Sequence, residues 1–180
     1  MSQRKAQIIY APQRDQQPRG TKSIFLAGST SAVDPPGADW RSTLTAALSD
    51  LPVTIFDPYR ADWDASWVED EASAPFREQV TWELDMQDRA DLVVVYFHPA
   101  TKAPISLLEL GLVARCGGGK AVVVCPEGYW KRGNVCIVCR RFGIDMVDDV
   151  DALRDVIVKK LQLGGGGGGG GVTGVGALFA

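Results

Sequence analysis

Histidine is almost missing from this chain: His98 is the only one in 180 residues. A catalytic triad that needs histidine could run only through His98, and a histidine-rich metal site is excluded. Cysteine is scarce as well, at positions 116, 125, 136 and 139. The pair Cys136-x-x-Cys139 has no second such pair with which to build a structural zinc site, so reduced, partly buried thiols are expected. No apolar run approaches the roughly 20 residues that span a bilayer. Positive charge is not in excess either. The net charge is −3, so nothing draws the chain to nucleic acid or to an anionic membrane. The first residues, Met1 to Gly20, carry Gln, Arg and Pro and lack the apolar stretch of a secretory signal. A cytoplasmic location is the expectation.

What the chain does contain is an alternation of apolar runs and helical patterns. Residues 1–21 read as a flexible N-terminal arm, 22–163 as one folded domain, and 164–180 as a flexible glycine-rich tail. Inside the domain, Ser23 to Ala27, Pro52 to Phe56, Leu92 to Phe97 and Ala121 to Val124 read as strands, with Ile144 to Val147 as a short fifth. Helical spacing covers Asp39 to Leu48, Pro75 to Arg89, Ile105 to Arg115 and Asp151 to Leu163. Proline suits the first turn at Pro75, and three glycines follow Cys116 to stop a helix. Strands alternating with helices predict a doubly wound α/β sheet of about five parallel strands.

In such sheets ligands bind beyond the carboxyl ends of the strands, and several chemistry-bearing segments fall there. Glu109 stands in Pro104-Ile105-Ser106-Leu107-Leu108-Glu109-Leu110-Gly111, otherwise core-type residues. A carboxylate in that setting costs several kcal/mol unless it is paired or hydrogen-bonded. Glu83 lies on the helix before the 92–97 strand and Glu109 on the helix after it. Two converging carboxylates suit nucleophilic or acid/base work on a glycosidic bond. Gly28-Ser29-Thr30 after the first strand lets a ligand approach the backbone, but it is neither a P-loop nor a GxGxxG fingerprint. Asp57-Pro58-Tyr59-Arg60-Ala61-Asp62-Trp63 combines acids, an arginine and aromatic faces that can stack a base and hydrogen-bond its edge. His98 directly follows a strand and could touch a ligand. No cofactor and no metal are expected.

These segments resemble the nucleoside 2-deoxyribosyltransferase-like family. The resemblance runs from about Ser23 to Gly143. It is carried by Leu26-Ala27-Gly28-Ser29, Asp57-Pro58-Tyr59-Arg60 with Asp62-Trp63, and Phe76-x-x-Gln79-Val80-x-Trp82-Glu83-Leu84. Leu107-Leu108-Glu109-Leu110-Gly111 and Gly128-Tyr129-Trp130-x-x-Gly133-Asn134-Val135 complete it. The resemblance implies a flavodoxin/Rossmann-like fold and a glutamate, here Glu109, that attacks the anomeric carbon of a (deoxy)nucleoside or nucleotide. A second base (transferase) or water (hydrolase) would then resolve the glycosyl intermediate. Glu83 matches an acidic position that orients the nucleophile or handles the base. Asn134 resembles an asparagine offered to the sugar by a neighbouring subunit, which implies a homo-oligomer. Gly28, Ser29, Asp57, Arg60, Trp63 and His98 complete the expected substrate-binding set. The segment Phe97 to Leu108 carries no acid, so protonation of the leaving base falls to Asp62, Asp57 or Glu83. The alternative reading is a nucleotide-binding or sensing module with the same pocket and no turnover.

Overall fold

Val93-Val94-Val95 and Val122-Val123-Val124 lack the alternation of a half-exposed strand, and a strand that is apolar on both sides needs cover on both faces. The computed structural model, which describes residues 5–29, 39–64 and 66–163, supplies that cover. The elements in chain order are β1 (Gln7–Tyr10), β2 (Lys22–Gly28), α1 (Trp40–Ala47), β3 (Val53–Asp57), α2 (Ala74–Arg89) and β4 (Leu92–Tyr96). They continue with α3 (Pro104–Ala114), a 3₁₀ turn at Gly118–Lys120, β5 (Ala121–Val124), α4 (Arg132–Phe142), β6 (Asp145–Val147) and α5 (Leu153–Leu161). One six-stranded sheet has the order β1-β3-β2-β4-β5-β6, and every neighbouring pair is parallel. Thr30 and the glycine-rich segment from 164 onward lie outside the described residues.

The two faces of the sheet are covered by different helices. Leu44 and Leu48, at the end of α1, and Leu153 and Ile157 of α5 pack against Ile24, Leu26 and Val94. On the other face Trp82 of α2, Leu110 of α3 and Val135 of α4 pack against Phe25, Val93 and Val95. Neighbouring strand residues therefore point into different cores, as the pleat requires. With β1 set aside, the order β3-β2-β4-β5-β6 reverses direction between β2 and β4. The loops leaving those two strands part there, and a crevice opens at their carboxyl ends.

The sixth strand comes from the segment expected to be a flexible arm. Gln7 to Tyr10 extend the sheet beyond β3, in register from Gln7↔Thr54 to Tyr10↔Asp57. Ile9 is buried, Gln7 Oε1 accepts from the Arg19 backbone N–H at 2.7 Å, and Trp82 Nε1 donates to the Gln13 carbonyl at 2.9 Å. Four residues flanked by Gln, Arg and Pro give too short a pattern to stand out. The strand is held by partners far along the chain. Trp82 is fully buried, so Trp82→Phe leaves part of its volume empty and the Gln13 carbonyl without its donor, and a stability loss of about 1–3 kcal/mol is expected. Urea denaturation measures the loss, and amide exchange in β1 should accelerate more than in β4.

Helix α4 also has no counterpart among the expected elements. Gly133, Asn134 and the β-branched Val135, Ile137 and Val138 are weak helix formers. Burial of Val135 and Cys139 stabilises the helix, and Gly143 closes it in the left-handed conformation at φ 67°. The remaining elements agree with expectation to within a few residues at their ends. No helix among the described residues is long and apolar enough to cross a membrane.

Candidate active site

The crevice is held open and in place by a few specific contacts. Gly28 ends β2 at φ +134°, and a Cβ there would sit 2.5 Å from the Tyr96 carbonyl oxygen and 2.7 Å from its nitrogen. Only glycine lets β2 and β4 pair to their ends at this point. Across the crevice, Ser29 Oγ and Thr101 Oγ1 are 2.8 Å apart, which ties the two diverging loops together. Thr101 Oγ1 also donates to the His98 carbonyl at 3.0 Å. The entry to α3 is braced from the side: Tyr129 Oη and Trp130 Nε1 donate to the Lys102 carbonyl at 2.9 and 3.1 Å. Ala103 then turns the chain in the left-handed region at φ 46°, and Pro104 starts the helix.

Glu109 projects from α3 and is only 7% exposed. Gln87 Nε2 of α2 donates to its Oε1 at 2.9 Å. Glu83, also on α2, accepts from Gln79 Nε2 at 2.9 Å, and the same nitrogen donates to the Pro58 carbonyl at 2.8 Å. Gln79, Glu83 and Gln87 are spaced by four, which puts all three on one stripe of α2 facing α3.

Two cavities meet at this stripe, and Glu83, Ile105 and Glu109 line both. One, of about 290 Å³, is bounded by Gly28, Ser29, Arg41, Thr101 and the first turn of α3. The other, of about 390 Å³, is bounded chiefly by Trp63, Phe76, Val80, Leu84, Leu108 and Leu112. The two carboxylates therefore line both chambers, of which the first is the less apolar.

Burial pushes the Glu109 carboxyl up to about 8; the charge of Glu83 adds to the rise, while Arg41 and the Gln87 hydrogen bond oppose it. Burial likewise raises Glu83 above the ordinary carboxylate range, against the Gln79 hydrogen bond and Arg41. The charged form of Glu83 helps to hold the proton on Glu109, so the titration of the two carboxyls belongs to the pair. Arg41 was not among the residues expected from sequence. Its Nη2 donates to the Gly28 carbonyl at 2.8 Å, and its buried Nε has no partner among the described residues. Removing this cation by Arg41→Met should move the titration of the pair toward higher pH, because the charged carboxylates lose the group that favours them. A pH profile of kcat/KM, or carboxyl titration by NMR, reads the shift.

The other expected residues divide between crevice and surroundings. Gly28 and Ser29 line the first chamber and Trp63 the second, more apolar one. Asp57 is buried at the end of β3, where its carboxylate accepts from the Tyr59 N–H at 2.9 Å. Burial raises its titration too. Arg60 is buried and organises the loop after β3. It pairs with Asp62 and Glu78 at 2.9 Å each and lies 4.9 Å from the Trp67 ring centre. Asp62 is thereby held below the usual carboxylate range by the Arg60 hydrogen bond. It lines neither cavity, and an acid held ionised in solvent is poorly suited to give a proton to a leaving base. His98 Nδ1 accepts from the Ala100 N–H at 3.1 Å, which shapes the loop after β4. Asn134 is exposed on α4 and lines neither chamber.

Sequence reasoning missed Arg41, Gln87 and the separate part Gln79 plays. The spacing of four along α2 was the signal available for the two glutamines. Arg41 gave none, because it sits on an unremarkable helix whose neighbour in space, Gly28, is distant in sequence. Among the described residues no cluster of three or more His, Cys, Asp or Glu could hold a metal ion.

Comparison with curated proteins finds no match. The family model described as nucleoside 2-deoxyribosyltransferase like matches residues 21–129, a span that includes Gly28, Glu83 and Glu109 and ends before Asn134. That span exceeds half of the chain, and the chain belongs to the nucleoside 2-deoxyribosyltransferase-like family.

Proposed function

We propose that the protein cleaves the N-glycosidic bond of a (deoxy)nucleoside or nucleotide, with Glu109 as nucleophile, and passes the glycosyl group to a second base or to water. The observation that carries this reading is the Glu83–Glu109 pair, which lines both chambers. The less apolar side, with Ser29, Arg41 and Thr101, suits a sugar and the more apolar side a base, so the scissile bond would lie against the carboxylates. The resting proton sits on Glu109, whose carboxyl burial pushes up to about 8; the reactive form is the tautomer in which that proton has passed to Glu83 and left Glu109 as carboxylate. A Glu109 carboxylate oxygen forms a bond to C1′, the C1′–N bond breaks, and its electron pair stays on the base nitrogen. That nitrogen takes the proton, which Glu83 supplies. In the second half a new base nitrogen, or water, attacks C1′ and Glu109 leaves as carboxylate, having split one hard displacement into two.

Glu83 fills the role for which the sequence offered three acids. It is the one of the three that lines the cavities beside Glu109. The test is a panel of nucleosides and nucleoside monophosphates, with released base read by chromatography. A 2-fluoro-2-deoxynucleoside should add its glycosyl mass to the intact chain. Ligand-induced melting shifts with no released base across the panel would replace this reading by a binding module.

A further inference from the structure

The second chamber, of about 390 Å³, combines aromatic surface with acids. Trp63 and Phe76 line it together with Glu69, Glu83 and Glu109, and among the described residues no Lys, Arg or His does. Its two amides spend their nitrogens on the protein: Gln79 donates to the Pro58 carbonyl and to Glu83, and Gln87 donates to Glu109. The neighbouring arginines are placed elsewhere. Arg41 borders the first chamber and not the second, and Arg60 is occupied by Asp62 and Glu78. A carboxylate against apolar walls is costly unless an opposite charge meets it. A flat aromatic cation answers both features. Its faces suit the rings, which attract positive charge, and its own charge meets the carboxylates.

The proton balance of the site points the same way. The resting proton sits on Glu109, the attacking group, whereas a neutral base would need it on Glu83. A cationic heterocycle needs no proton to leave. Its charge beside Glu109 favours the carboxylate, whose proton goes to solvent. As that carboxylate bonds to C1′ the C1′–N bond breaks, and its electron pair cancels the positive charge on the ring nitrogen. We infer that the second chamber is a site for a heterocycle with a permanent positive charge, such as a pyridinium or an N-alkylated purine ring. This rests on the glycosidic reading above, which makes the heterocycle the leaving group, and it narrows the substrate class of that reading.

Calorimetry at low salt tests this without requiring turnover. The cation 1-methylnicotinamide has a neutral isostere, 3-methylbenzamide, and its N-methyl group stands where C1′ would be attached. The wild-type chain should bind the cation about tenfold or more tightly. The same comparison of 7,9-dimethyladeninium with 9-methyladenine probes a two-ring cation, and a preference in one pair alone identifies the ring that fits. Glu69 and Trp63 are exposed, so replacing them leaves the core intact. In Glu69→Gln and in Trp63→Leu the preference should fall by about threefold or more. No preference for the cation in either pair, no binding of either cation, or an undiminished preference in both variants would each overturn the inference. Base release from nucleosides is assayed separately. A chain that prefers the cations but releases no base keeps the chamber's preference and loses the glycosidic reading. One that releases neutral bases and shows no such preference keeps the glycosidic reading and loses the inference.

Discussion

Glu109→Gln should lower turnover by roughly 10³-fold or more and, at neutral pH, make the protein more stable. The first effect follows from removing the attacking oxygen's charge while leaving its shape. The second follows from linkage. The carboxyl of Glu109 titrates at about 8 in the folded chain against a reference of 4.5, so above pH 4.5 the folded state holds a proton that the unfolded state has released. Stability therefore falls as pH rises from about 4.5 toward 8, and it levels off once both states are ionised. At 1.36 kcal/mol per unit, the loss at pH 7 is on the order of 3 kcal/mol. Glutamine has nothing to titrate, and its side-chain oxygen can still accept from Gln87. Chemical denaturation of both proteins at pH 5 and pH 8 checks the argument: near-equal stability at pH 5, and a clear advantage for the variant at pH 8. A parallel pH dependence in the two proteins would mean that Glu109 ionises as freely folded as unfolded. An active site that gains stability when its reactive group is removed is the expected signature of a carboxylate placed for chemistry.

How far the sequence spoke for this site varies residue by residue. Glu109 was legible because its neighbours are apolar, and a charge among them needs an explanation. The strands were legible because Val93-Val94-Val95 and Val122-Val123-Val124 leave no alternation to misread. Glu83 was legible as a carboxylate flanking the same strand, but its environment was not. Nothing local indicates that Gln79 and Pro58 converge on it. Arg60 illustrates the opposite limit. Its company of acids and tryptophans suggested a ligand, and the fold spends it on the loop itself, through Asp62, Glu78 and Trp67. That outcome depends on Glu78, on a helix 18 positions later, which no window around Arg60 contains. β1 was hidden for the same reason, since its hydrogen-bonding partners are on β3 and its anchor is Trp82. Pattern reports burial and period; it does not report which distant groups will meet.

Glu83→Gln should separate the two roles assigned to the pair. For a nucleoside with an ordinary base, turnover should fall by roughly 10²–10⁴-fold, the usual contribution of a positioned proton donor. For an N7-methylated purine nucleoside it should change little, because that base carries a positive charge before the bond breaks and departs neutral without a proton. Glu109→Gln, by contrast, should suppress both substrates, since attack at C1′ is required in each case. A second signature follows from the charge of Glu83, which helps to hold the Glu109 proton. With that charge gone, Glu109 ionises at lower pH, so the rise of kcat/KM with pH for the methylated substrate should move to lower pH in Glu83→Gln. Glutamine at 83 still offers a carbonyl to Gln79, so the Gln79 amide should keep its orientation. Kinetics of the two substrates across pH 5 to 9 decide the matter. If both substrates fall equally and the profile does not move, Glu83 acts by holding Gln79 in place, and the proton for the base must come from elsewhere.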